Sequence, residues 1–182
     1  MKVMVSIMAI LLAGCTLLVG CTSAPKNIDP VTQFQVERYL GTWYEIVRQD
    51  HAFEEGLSNV TATYSMRGDG GVAVLNRGYS AEDKKWREAE GRAYFVNSSD
   101  VGHLKVSFFG PFYGAYVIFE LDKKDYQYAM ISGPSRDYFW LLSRTPTMPE
   151  DVKRRLLLKA EALGFPMDKL VNVVQSSNVP AS

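Results

Sequence analysis

Beyond residue 21 the chain has no cysteine; its two are Cys15 and Cys21. The remainder can form no internal disulfide and must be held by packing, which the 162 residues left after residues 1–20 are enough to supply. An excess of one charge is also lacking, since 20 basic side chains face 20 acidic ones. No basic field is left to neutralise phosphates, which argues against a nucleic-acid partner. Histidine is scarce. His51 and His103 stand outside any HExxH, His-x-Glu or Gly-x-Ser-x-Gly context, so neither a metal centre nor a catalytic triad is expected, and both read as solvated. The glycines from Gly68 to Gly71 join two predicted strands and precede no helix, unlike a phosphate loop. The carboxylate pairs Glu54-Glu55 and Glu88 with Glu90 read as solvated charge. What is present, 47% apolar and 22% charged residues, describes one globular domain with no cofactor and no catalytic constellation.

The one long apolar run opens the chain. Met1-Lys2 is followed by apolar and small residues from Val3 to Val19 and then Gly20-Cys21, the pattern of a secretory signal over residues 1–20. Leu18-Val19-Gly20-Cys21 resembles the lipobox of bacterial lipoproteins, which implies diacylglyceryl modification of Cys21 and an N-terminal membrane anchor. Leu12-Ala13-Gly14-Cys15 fits the same pattern, but cutting there leaves a very short signal and exposes Leu17, Leu18 and Val19. Thr22 in place of Asp implies, by the same resemblance, the outer membrane. Residues 21–33 then form a lipidated tether, and several acyl chains on one cysteine hold firmly where a single chain holds marginally.

The rest reads as a meander of strands. Segments rich in Val, Tyr, Phe and Thr alternate with Gly, Asp, Asn and Ser at the spacing of an antiparallel barrel or sandwich. Eight are expected: Trp43 to Arg48, Asn59 to Met66, Val72 to Tyr79, Lys85 to Val96, His103 to Phe109, Ala115 to Leu121, Tyr126 to Ser132 and Tyr138 to Arg144. The period then changes. Thr147 and Glu150 make a capping box with Pro149 in the first turn, and Val152, Leu156 and Leu163 form an apolar stripe that Gly164 ends. The fold class is therefore all-β, an eight-stranded antiparallel up-and-down β-barrel, with one C-terminal α-helix packed on the outside and a last short strand over Leu170 to Val174.

An eight-stranded barrel either fills with side chains or holds one small ligand. Alternation assigns the inward residues. They are Val60, Ala62 and Tyr64; Val74 and Asn76; Ala89 and Ala93; Leu104, Val106 and Phe108; Tyr116 and Ile118; Ala129 and Ile131; and Tyr138, Trp140 and Leu142. A mix of alanine with Tyr, Trp and Asn favours an apolar pocket with a few hydrogen-bonding groups. A filled barrel, and with it a purely structural envelope lipoprotein, stays open as the alternative.

Tyr39-Leu40-Gly41-Thr42-Trp43-Tyr44-Glu45-Ile46 carries a Gly-x-Trp pair, and Leu142-Ser143-Arg144-Thr145-Pro146 places an arginine at the end of the eighth strand. Together they resemble the lipocalin signatures. Lys124-Asp125-Tyr126 is similar to the family's middle motif, with Lys in place of Thr, and Lys105 to Gly114 resembles the bacterial outer-membrane branch related to apolipoprotein D. The resemblance implies a lipocalin domain over residues 34–175 with a tail over 176–182. It makes Gly41, Trp43 and Arg144 structural: Trp43 plugs the closed end and Arg144 stacks on it. It further implies binding of fatty acids or lysophospholipids, with storage or transport in envelope maintenance; a lipid-modifying enzyme is the remoter alternative. With Trp43 at the closed end, the opening is bordered by residues 49–58, 80–84, 110–114 and 133–136. Phe53, Phe112 and Tyr113 lie on this rim, and Arg48, Arg87 and Arg136 are candidates to meet an anionic headgroup there, although each taken singly reads first as a solvated surface arginine.

Overall fold

The computed structural model describes residues 22–176 and 178–179. The expected signal segment, the Cys21 anchor and part of the tail lie outside the described residues. A single helical turn, α1 (Val36–Tyr39), precedes eight strands: β1 (Gly41–Gln49), β2 (Leu57–Met66), β3 (Val72–Ser80), β4 (Lys85–Phe95), β5 (His103–Ser107), β6 (Gly114–Leu121), β7 (Tyr128–Ser132) and β8 (Phe139–Ser143). Helix α2 (Glu150–Ala162) and strand β9 (Leu170–Asn172) follow.

Each strand pairs antiparallel with the next, and β1 closes the ring by pairing with both β8 and β2. Closure leaves few backbone groups unpaired at an edge. Only the lower part of β1, Gly41 to Tyr44, is free to pair with β2; the upper part, Val47 to Gln49, pairs with β9. Beside a register shift between Glu45 and Val47 and under the helix outside that wall, every residue from Glu45 to Gln49 is buried, so β1 loses the alternation of a half-solvated strand.

The apolar residues form two cores. One lies within the barrel, with Trp43, Tyr64, Val74, Leu104, Ile131 and Leu142 among its members. The other fills the space between barrel and helix, where Leu156 and Ala160 pack on Ile46, Val117, Met130, Phe139 and Leu141. Phe119 stacks on Phe165 with ring centroids 5.2 Å apart.

The expected capping box does not form. Pro149 occupies the N-cap with extended backbone and no side-chain cap, so the helix starts too far along the chain for the Thr147 hydroxyl to reach it. The C-terminus follows its sequence signals: Gly164 takes φ +83°, and Arg136 Nε donates to the Leu163 carbonyl at 2.7 Å. Residues 22–33 run against the outer wall. Ile28 is buried in the outer core, Arg136 donates to the Lys26 carbonyl, and Thr32 bridges Val101.

Candidate functional site: an apolar cavity with a tyrosine floor and a charged wall

The barrel is not filled. A cavity of about 720 Å³ opens at the end opposite Trp43, within the range of about 300–1,000 Å³ usual for small-molecule sites. Its room comes from small side chains on successive strands, Ala62 on β2 and Ala89 and Ala93 on β4. Gly91 makes space for the Phe108 ring on that wall, since a Cβ there would come within 2.8 Å of it.

The closed end is sealed in layers. Trp43 is fully buried and donates through Nε1 to the Tyr39 carbonyl at 2.8 Å. The Arg144 guanidinium lies 3.9 Å from its ring centroid and donates to the carbonyls of Tyr126, Thr42 and Arg38. Above the indole, Phe34 and Tyr39 form the cavity floor with Tyr64 and Tyr116. Tyr116 Oη lies 2.7 Å from both Tyr39 Oη and Tyr64 Oη. Burial raises the pKa of all three phenols, which keeps them neutral.

One wall carries charge. Arg48, 1% exposed, donates from Nη1 to Glu45 Oε1 at 3.0 Å and from Nη2 to the Glu54 carbonyl at 2.7 Å. Glu54 reaches in from the loop after β1 and accepts from Trp140 Nε1 at 3.1 Å. Burial, and then the neighbouring Glu54, push the Glu45 carboxyl well above its ordinary range against the pull of Arg48. Burial raises Glu54 too. His51, on the same loop, stacks between Phe53 and Tyr138, and burial followed by the Arg48 charge lowers its pKa.

Val60, Ala62, Tyr64, Val74, Asn76, Ala89, Ala93, Val106, Phe108, Tyr116, Ile131, Tyr138 and Trp140 all line the cavity. Ile118 does not. It points inward but lies two residues further down β6 than Tyr116, where it packs in the closed end. Asn76 Oδ1 is buried and has no partner among the described residues.

Five charged or titratable residues stand differently from the expectation. Arg48 is buried in an ion pair and Arg136 caps α2, so neither stands at the rim. Arg87 lines the upper cavity but is paired with Asp83. Glu54 is buried instead of solvated, and His103 binds the Thr22 carbonyl through Nε2 at 2.8 Å. Of the rim aromatics, Phe53 and Phe112 border the opening at 61% and 76% exposure, joined by Phe109 at 82%. Tyr113 turns outward against Tyr94 and Lys105. Sequence reasoning missed Glu45 and Tyr39. Glu45 was detectable, because alternation from an inward Trp43 puts it inside; Tyr39 precedes the strand, where no parity applies.

Residues 34–175 match the family model described as "Lipocalin-like domain". The chain is a lipocalin. It is 54% identical over 168 residues to "Outer membrane lipoprotein Blc" of Vibrio cholerae, covering 92% of this chain and 98% of that protein. It is 50% identical to the protein of the same name from Escherichia coli K12, covering 87% and 90%. Among solved structures, tobacco hornworm insecticyanin superposes with a TM-score of 0.68 at 19% identity, covering 86% of this chain and 89% of that one, which speaks to the fold. The family it joins is one of binding proteins, not enzymes.

Proposed function

We propose that this lipocalin is an outer-membrane lipoprotein that takes one fatty acid or lysophospholipid into its barrel and stores or carries it in envelope maintenance. Residues 1–20 act as the signal, and Cys21 carries the acyl groups that hold the barrel to the membrane. The observation that carries the reading is the open, mainly apolar cavity. An acyl chain laid against Val60, Val74, Ala89, Val106 and Ile131 leaves water for an apolar surface, at about 25 cal/mol per Å² before the losses of ordering. The relatives at 50% identity and above carry the name outer membrane lipoprotein, which supports the location and the anchor. A purely structural role would fit a filled barrel, and the cavity speaks against it.

The test uses the chain from Thr22, which contains every strand and both cores described above. Fatty acid or lysophospholipid is titrated against tryptophan fluorescence, since Trp140 lines the cavity. Saturable one-to-one quenching that disappears in Ala62→Trp with the fold intact is the expected result. No saturable response in protein freed of carried-over lipid overturns the proposal.

A further inference from the structure

We propose that the floor of the cavity recognises an uncharged oxygen, a hydroxyl or carbonyl at the buried end of the ligand, through the hydroxyl cluster of Tyr39, Tyr116 and Tyr64. The inference rests on the lipid-binding reading above and narrows its ligand class to acyl chains with a neutral oxygen at the far end.

Three neutral phenols bring three O–H groups. Two of them are used in the contacts of Tyr116 with Tyr39 and Tyr64, both 2.7 Å between oxygens. The third hydrogen has only the weaker contact between the Tyr39 and Tyr64 hydroxyls, and among the described residues no side chain or carbonyl outside the cluster forms a hydrogen bond with the three. The surroundings on the floor are Phe34, Val36, Leu40 and Ala62, which can offer it nothing. A buried donor left unpaired costs about 1–3 kcal/mol. A methyl terminus arriving at this floor leaves the donor poorly matched, whereas a hydroxyl or carbonyl oxygen accepts it.

Charge decides that this oxygen is neutral. The cations that line the cavity, Arg77 and Arg87, lie on the upper parts of β3 and β4 and are engaged by Glu88 and Asp83. Arg48 is committed to Glu45 and to the Glu54 carbonyl. The carboxyls of Glu45 and Glu54 act on Tyr64 and raise its pKa further, beyond the effect of burial. A carboxylate or phosphate at the floor would meet two carboxyl groups, while the cation beneath the floor, Arg144, is held under the Trp43 ring by three backbone carbonyls, so the ionic end of a ligand stays at the mouth. The ligand that satisfies both ends has a charged head and an oxygenated tail tip, as in an ω-hydroxy or ω-oxo acid.

The experiment compares alkanoic acids with the matching ω-hydroxy acids, from decanoic to octadecanoic, titrated into the chain from Thr22. Without a partner at the floor, the added hydroxyl weakens binding at every length by about tenfold or more. The proposal expects one chain length at which the hydroxy acid binds at least as tightly as the plain acid. In Tyr116→Phe, which keeps the ring, that hydroxy acid loses about tenfold in affinity while the plain acid changes by less than about threefold. Tyr64→Phe gives the same split, with urea unfolding reporting that both variants are folded. Two outcomes overturn the inference: preference for the plain acid by tenfold at all lengths, or a hydroxyl preference that both variants retain. If neither the plain acids nor a lysophospholipid binds the wild type, the lipid-binding reading itself falls; if they bind and the hydroxy acids are rejected, only the tyrosine floor does.

Discussion

The two ends of the barrel are built from the same strands and the same residue types, yet they spend their aromatic and cationic side chains differently. At the closed end Trp43 is wholly buried, and Arg144 stacked on it ties together carbonyls from three separate segments. Arg38 adds bonds to the carbonyls of Lys123 and Lys124 and lies 4.2 Å over the ring of Tyr126. At the open end Phe53, Phe109 and Phe112 stand largely in solvent, and the buried arginine, Arg48, is matched to a carboxyl and to one loop carbonyl. One end therefore converts its side chains into backbone closure, and the other leaves apolar surface unspent beside a cavity. Stability and binding are thereby separated along the barrel axis.

Variants can break this separation. Trp43→Ala leaves a void under the floor and is expected to lower unfolding free energy by about 3–5 kcal/mol, read from urea denaturation. Comparable damage to stability from any rim substitution would contradict the division. Ala62→Trp fills the cavity and is expected to weaken lipid binding by at least about tenfold, near 1.4 kcal/mol, in protein that still unfolds cooperatively.

A third variant probes the charged wall between the two ends. The folded pKa of Glu45 is raised above its unfolded value, so the native state holds the extra proton. The stability this contributes is complete at pH below the ordinary carboxyl range and is lost as pH rises through the raised value. Glu45→Gln, which mimics the protonated form, should remove that loss. Urea midpoints across pH are expected to fall more steeply on the alkaline side in the wild type than in the variant, and parallel curves would refute the assignment. The smallest effect belongs to the rim: Phe112→Ser should leave stability within about 0.5 kcal/mol, measured by thermal unfolding.

How far the sequence could be read follows from where periodicity holds. In β2, β3 and β4 one face is inward and the other is in contact with solvent, so alternation placed Ala62, Asn76 and Ala89 on the cavity wall. In β1 alternation from Trp43 still points Glu45 inward, but both faces are covered and the register shifts there, so the burial of Arg48 and its pairing with Glu45 left no alternating trace. Depth along a strand was illegible too. Ile118 and Tyr116 share a face, but the floor lies between them, and its height depends on rings from Phe34 and Tyr39 that belong to a different part of the chain.

The sequence by itself determined the strand count, the trailing helix and the family, because period-two patterns, Gly-x-Trp and the late arginine are local features. Only the tertiary structure decided that the barrel is hollow, that Glu54 turns inward and that three tyrosines share two hydrogen bonds. Those properties depend on side chains far apart in sequence meeting in space, and packing and hydrogen bonding between such partners leave no periodic trace along the chain.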